Sequence, residues 1–196
     1  MQLKDSNTYI NLAKAYAGEC MAMTRYKFVS YGAQTEGYKA MSNLINDVIY
    51  NEFQHARMIY TFIQSADKNT INNIDIHSGY PFKEKWNLLD NLKFAADDEE
   101  AEVEVYGRFA KVADEEGFRD IAGMFENMRQ VEECHRNLFT QLYQQLKNGT
   151  MYKKEMPIKW KCGDCGYEAT SKEAWVQCPL CQAKQGTTLI QIEDGE

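Results

Sequence analysis

Over its first 147 residues the chain repeats apolar side chains at three- and four-residue intervals, and Pro81 is the only proline in that stretch. Such a pattern argues for helix throughout. Glycines near residues 37 and 117 mark short joints between helices expected at 6–35 and 37–66, and at 87–116 and 118–147. Joints this short imply antiparallel hairpins. Between the hairpins, Asp67 to Trp86 carries Asn72, Asn73, Gly79 and Pro81 without a helical period. It is too long for a hairpin loop and reads as a crossover. The fold class is therefore an all-α four-helix bundle with a long crossover between helices two and three.

On a 100-degree wheel each helix places acid inside its own apolar stripe. In the first helix Glu19 falls among Leu12, Ala15, Ala22 and Tyr26; in the second, Glu52 and His55 fall among Ile45, Ile49, Ala56 and Ile59. The third encloses Glu99 and Glu102 between Leu92, Ala95, Val103 and Tyr106, and the fourth encloses Glu132 and His135 between Phe125, Met128, Phe139 and Leu142. Several buried carboxylates without cations are costly, so they must be protonated or compensated by metal. Glu52/His55 and Glu132/His135 decide for metal, because i,i+3 spacing turns a carboxylate and an imidazole to one face as joint ligands. Glu19, Glu52, Glu99, Glu102 and Glu132 carry five negative charges, which two divalent ions nearly cancel. Oxygen-rich ligation with two imidazoles suits iron or manganese better than structural zinc.

Other chemistry-bearing residues read more plainly. His77 reads as a solvated loop histidine, and methionines such as Met23 and Met128 as packing. Tyr26 and Tyr106 lie a turn or two beyond site glutamates, placed to hydrogen-bond the carboxylates. In the run Asp97, Asp98, Glu99, Glu100, the outward members read as a solvated face.

After Leu146 the texture changes to Asn148, Gly149, Lys153, Lys154 and Pro157, a linker expected over 148–157. It joins a bundle over 1–147 to a mini-domain over 158–196, a size that usually needs a metal staple. Four of the six cysteines fall there as two Cys-x-x-Cys knuckles, Cys162/Cys165 and Cys178/Cys181. Such knuckles close a tetrahedron of thiolates around zinc or a single iron. Gly166-Tyr167 after the second cysteine and Pro179 after the third favour iron. Trp160, Tyr167 and Trp175 are placed to keep so small a site dry. Cys20 and Cys134 stand alone, as thiols do in a reducing compartment.

The formal charge is −7 and lysine and arginine are scattered, so the footprint of a nucleic-acid protein is missing. No segment approaches the length of a membrane span or a signal sequence, so a soluble, cytoplasmic protein is expected.

The chain resembles rubrerythrin in Ala17-Gly18-Glu19, Glu52-Phe-Gln-His55, the run Phe109 to Phe118, Glu132-Glu-Cys-His135, and a rubredoxin-like tail with Cys-Gly-Asp-Cys-Gly-Tyr and Cys-Pro-Leu-Cys. The resemblance implies a ferritin-like bundle with two irons on Glu19, Glu52, His55, Glu99, Glu102, Glu132 and His135. It implies a third iron on Cys162, Cys165, Cys178 and Cys181. The implied activity is reduction of hydrogen peroxide in oxidative-stress defence, with Tyr26 or a site carboxylate giving a proton. Electrons would come from NAD(P)H through a reductase or rubredoxin, in a homodimer. Rivals are a ferritin-like iron-oxidising or storage protein, and a non-enzymatic module with zinc on the cysteines. The third-helix motif departs from the family by one residue: an ungapped match selects Asp98 and Ala101, whereas the wheel selects Glu99 and Glu102. Such a shortening corresponds to loss of a π-bulge.

Overall fold

The computed structural model describes residues 1–79, 82 and 87–193. Helices α1 (Asn7–Thr35) and α2 (Lys39–Ser65) form one antiparallel hairpin, and α3 (Leu88–Glu115) and α4 (Arg119–Asn148) form the other. Pro81 and Trp86 of the crossover lie outside the described residues.

Local chemistry sets the helix ends. The Ser6 hydroxyl accepts from Tyr9 N at 3.1 Å to open α1, and the Asn87 side chain accepts from Asp90 N at 3.0 Å to open α3. Both hairpin joints close identically. Gly37 and Gly117 take φ of 89° and 87°, and the next residues, Tyr38 and Phe118, return an N–H to Ala33 O and Ala113 O at 2.8 Å. This is the glycine-dependent closure of a helix C-terminus. α3 runs as unbroken α-helix through the shortened motif.

The apolar core is divided in two. One cluster gathers Tyr26, Val29, Met41, Ile45, Leu92, Phe139 and Leu142; the other gathers Leu12, Ile59, Ile63, Tyr106, Phe125 and Met128. In every helix the division falls at the acid: Glu19 between Ala15 and Ala22, Glu52 between Ile49 and Ile59, Glu99 between Ala95 and Tyr106, Glu132 between Met128 and Phe139. A polar layer thus crosses the bundle, capped at each end by packed side chains.

Past Gly149, the left-handed cap of α4, strands β1 (Lys153–Lys161) and β2 (Glu168–Glu173) pair antiparallel, with Trp160 opposite Ala169. β1 therefore begins inside the stretch expected as linker. The cysteine-bearing unit is seated on the bundle: Met151 and Ile190 join the first core cluster, and Gln141 and Gln145 donate to the carbonyls of Glu193 and Gln191 at 2.7 and 2.8 Å. Lys39 pairs with Asp164 at 2.6 Å. Gly186 lies so near the α1–α2 joint that a Cβ there would stand 1.7 Å from Gly37 O, so only glycine fits the seat. Among the described residues no helix is long and apolar enough to cross a membrane.

Candidate metal centre

The polar layer brings Glu19, Glu52, Glu99 and Glu132 together, each with no exposed surface, beside His55 and His135 at 5% and 4% exposure. His55 Nδ1 lies 3.1 Å from both Glu52 Oε2 and Glu132 Oε1, and 3.6 Å from Glu19 Oε2. His135 Nδ1 lies 2.7 Å from Glu132 Oε2, 3.0 Å from Glu52 Oε1 and 3.9 Å from Glu99 Oε1. The ligand atoms fall into two overlapping groups, Glu19/Glu52/His55/Glu132 and Glu52/Glu99/Glu132/His135, each within 4.8 Å. Glu52 and Glu132 belong to both, as bridging carboxylates must.

The electrostatics call for cations. Glu19 Oε2 and Glu99 Oε2 are buried and accept no hydrogen bond among the described residues, a condition native interiors avoid. Burial, reinforced by neighbouring carboxylates, drives the Glu19 and Glu99 carboxyls well above the usual range. Burial alone would lower His135, yet Glu132 and Glu52 override it and hold the imidazole up to about 11; His55 is raised in the same way by Glu132, Glu19 and Glu52. Against its own burial, Glu52 is held down to about 2 by the two imidazoles. In the bare chain protons do the neutralising, and two divalent ions would take their place. Four carboxylates against two such ions leave no net charge.

Two tyrosines cross-link the layer. Tyr26 of α1 donates to Glu99 Oε1 of α3 at 2.5 Å, and Tyr106 of α3 donates to Glu19 of α1. Glu102 belongs to neither ligand group; it is half-buried and lines a cavity between α1 and α3, one oxygen buried without a partner. The fifth acid of the charge count stays close to the layer: burial, then Glu19, Glu52 and Glu132, push the Glu102 carboxyl well above its usual range. Asp98 pairs with buried Arg25, while Asp97 and Glu100, read as solvated, pair with Lys93 and Arg136. His77 is exposed.

Neither the Arg25–Asp98 pair nor Asn51 stood out in the sequence. The Asn51 carboxamide stands 3.2 Å from His135 Nε2, the nitrogen facing away from the carboxylates, where it fixes the ring. Its only sequence signal is its place beside Glu52. Because such outer partners set ligand orientation, Asn51→Ala is expected to weaken divalent-metal binding by about 10–100-fold, measured by competitive titration with cobalt(II).

In the small unit the four cysteine sulfurs lie within 4.8 Å of one another, Cys162 and Cys178 buried, Cys165 and Cys181 exposed. Although burial opposes it, the N–H groups of Cys165 and Asp164 bring the Cys162 thiol down to about 6. The knuckle amides therefore favour thiolate. Trp160 is fully buried, and Tyr167 meets Trp175 edge-on at 5.4 Å beside the site.

A ferritin-like bundle whose core holds two carboxylate–histidine groups sharing two glutamates, with a four-cysteine unit seated on it, defines a class of iron oxidoreductases with a di-iron and a single-iron site. The family model described as Rubrerythrin matches residues 11–143 and 90–164. Rubrerythrin of Clostridium perfringens is 39% identical over 180 residues, 91% of each chain, and that of Porphyromonas gingivalis 32% over 184 residues, 93% of this chain and 89% of the relative. The chain belongs to the rubrerythrin family. In fold it is similar to nigerythrin in its mixed-valence state (TM-score 0.62, 23% identity, 94% of this chain and 86% of that one). It is likewise similar to Desulfovibrio desulfuricans bacterioferritin, a protein with a diiron site (TM-score 0.60, 23% identity, 72% of this chain and 81% of that one).

Proposed function

We propose that the protein reduces hydrogen peroxide to water at the two-metal layer and is recharged through the four-cysteine site. One ion is held by Glu19, Glu52, His55 and Glu132 and the other by Glu52, Glu99, Glu132 and His135; the third is held by Cys162, Cys165, Cys178 and Cys181. The observation carrying this reading is the cysteine unit's seat on the same bundle, a one-electron relay that an iron store does not use.

When bound, the two irons supply two electrons and Lewis acidity, so that H2O2, two electrons and two protons give two waters. The chain's own residues do the rest. Burial and the Glu99 charge keep the Tyr26 phenol protonated far above its ordinary value, so its hydroxyl, on Glu99, stores a proton inside a dry layer. The two apolar clusters exclude water on either side.

The cysteine unit sits at the α1–α2 joint, and from Tyr38 to Glu52 is fourteen residues of α2, a span of about 21 Å. That length favours transfer between two copies over transfer within one. Large exposed apolar side chains on the helices, among them Phe28, Tyr31, Tyr50, Phe53 and Tyr60, all belong to α1 and α2; α3 and α4 present none among the described residues. This is the face for a homodimer. The electron donor is a rubredoxin or an NAD(P)H-dependent reductase, in a cytoplasmic setting.

Anaerobic, iron-loaded protein should be red from its ferric four-cysteine site and bleach on chemical reduction. Adding peroxide should restore the colour, one peroxide consumed per two electrons. A colourless cysteine site means zinc; colour restored by oxygen alone, with iron accumulating beyond three per chain, means storage.

A further inference from the structure

Two cavities approach the metal layer from opposite seams, and they differ in what they meet there. The larger, about 860 Å³ between α2 and α4, is lined by Met58, Met124 and Met128 together with Arg57, Asp120 and Asn127, and touches the layer only at His55. Since His55 Nδ1 faces the carboxylates, the imidazole ring stands between that cavity and the layer. The smaller, about 320 Å³ between α1 and α3, is lined by Glu102 and by Tyr106, whose hydroxyl bonds Glu19. Its wall carries the Arg25–Asp98 ion pair, and Ser78 borders it. Hydrogen peroxide is as hydrophilic as water, so a route must offer it hydrogen-bond partners in exchange for those it leaves. Both linings carry polar side chains, but only the α1–α3 cavity offers them at the layer itself, through Glu102 and the Tyr106 that bonds Glu19, whereas the α2–α4 cavity meets the layer at the His55 ring.

Small residues keep the α1–α3 cavity open. Gly18 stands in its α1 wall, where an added Cβ would meet nothing within 4 Å, and Ala101 faces it from α3. Helix interiors disfavour glycine, and no backbone strain requires one here, since Gly18 is not among the glycines of positive φ. Resting on the peroxide-reducing reading above, we propose that peroxide reaches the layer between α1 and α3, past Glu102, and that Gly18 sets the aperture. Its counterpart on the other seam is Gly123 of α4, which lines the α2–α4 cavity and likewise has nothing within 4 Å of an added Cβ.

The symmetry supplies the control. Stopped-flow association of azide, a small polar ligand of ferric iron, is followed in oxidised, fully loaded protein by its visible band. Gly18→Leu is expected to slow association at least tenfold, Gly18→Ala slightly, and Gly123→Leu not at all. The final azide band and the four-cysteine spectrum stay unchanged throughout, and peroxide consumption slows in step with azide. Should Gly18→Leu fail to fold, Ala101→Leu blocks the same passage from the opposite wall and is expected to slow azide equally. Slowing by Gly123→Leu, or no slowing by either Gly18→Leu or Ala101→Leu, overturns the route. If azide follows the predicted pattern while no form of the protein consumes peroxide, the route stands and the peroxidase reading falls.

Discussion

Replacing Glu52 by glutamine is expected to drop the metal content of the bundle from two ions to at most one and to abolish peroxide reduction, while the red four-cysteine chromophore persists. Glu52 has no exposed surface, belongs to both ligand groups and stands within 3.1 Å of both imidazole Nδ1 atoms. An amide keeps its volume but removes one of four balancing charges and can turn N–H donors toward cations. Loss of the paired metals' stabilisation of developing charge, several kcal/mol, corresponds to about 10³-fold or more in rate. Glu102→Gln is the companion. Because Glu102 lies outside both groups, that variant should still bind two ions per bundle. Metal analysis of the two variants, each normalised to its cysteine-site absorbance, checks the pair of outcomes. Two ions retained in Glu52→Gln would remove the bridge from the assignment.

The legibility of this site follows from which features are local. Helical period and glycine joints are local properties, and the four helices appear within one or two residues of their expected bounds. The burial of Glu19, Glu52, Glu99 and Glu132 was readable for the same reason: each interrupts a stripe on its own helix. What sequence could not reveal depends on neighbouring elements. The wheel put Glu99 and Glu102 on one face, but only the packing of α1 against α3 decides that Glu99 enters the layer while Glu102 turns to the cavity. Arg25 could be matched to Asp98 only once α1 and α3 were adjacent, and that pair gives the acid displaced by the one-residue shortening a cation of its own. The cysteine unit's seat escaped because Gly186 against Gly37 is a contact between two ordinary-looking glycines far apart in sequence.

The same charge distribution predicts that the metal-free protein loses stability as pH rises. His135, held up to about 11 against an ordinary 6.5, contributes stability that is fully present below 6.5 and is lost as pH climbs through its folded value. His55 acts in the same direction. Glu19 and Glu99, raised by burial from 4.5, add to it, because their protonated forms suit the dry layer and each must ionise or unfold as pH increases. Glu52, held down to about 2, has the opposite sign and costs stability only in strong acid. The bare chain should therefore be more stable at pH 6 than at pH 9. Metal reverses the alkaline loss, since two divalent ions replace the protons and loading releases them to solvent. At 100- to 1000-fold excess over the dissociation constant, each ion adds about 2.7–4.1 kcal/mol. At roughly 2–4 °C per kcal/mol for a chain of this size, Tm rises by about 10 °C or more. Calorimetry of chelator-treated and reloaded protein at both pH values tests this: the gap should widen from pH 6 to pH 9. A metal-free Tm that stays flat or rises over that interval would show that the carboxylates and imidazoles do not share the protons on which this account of the layer depends.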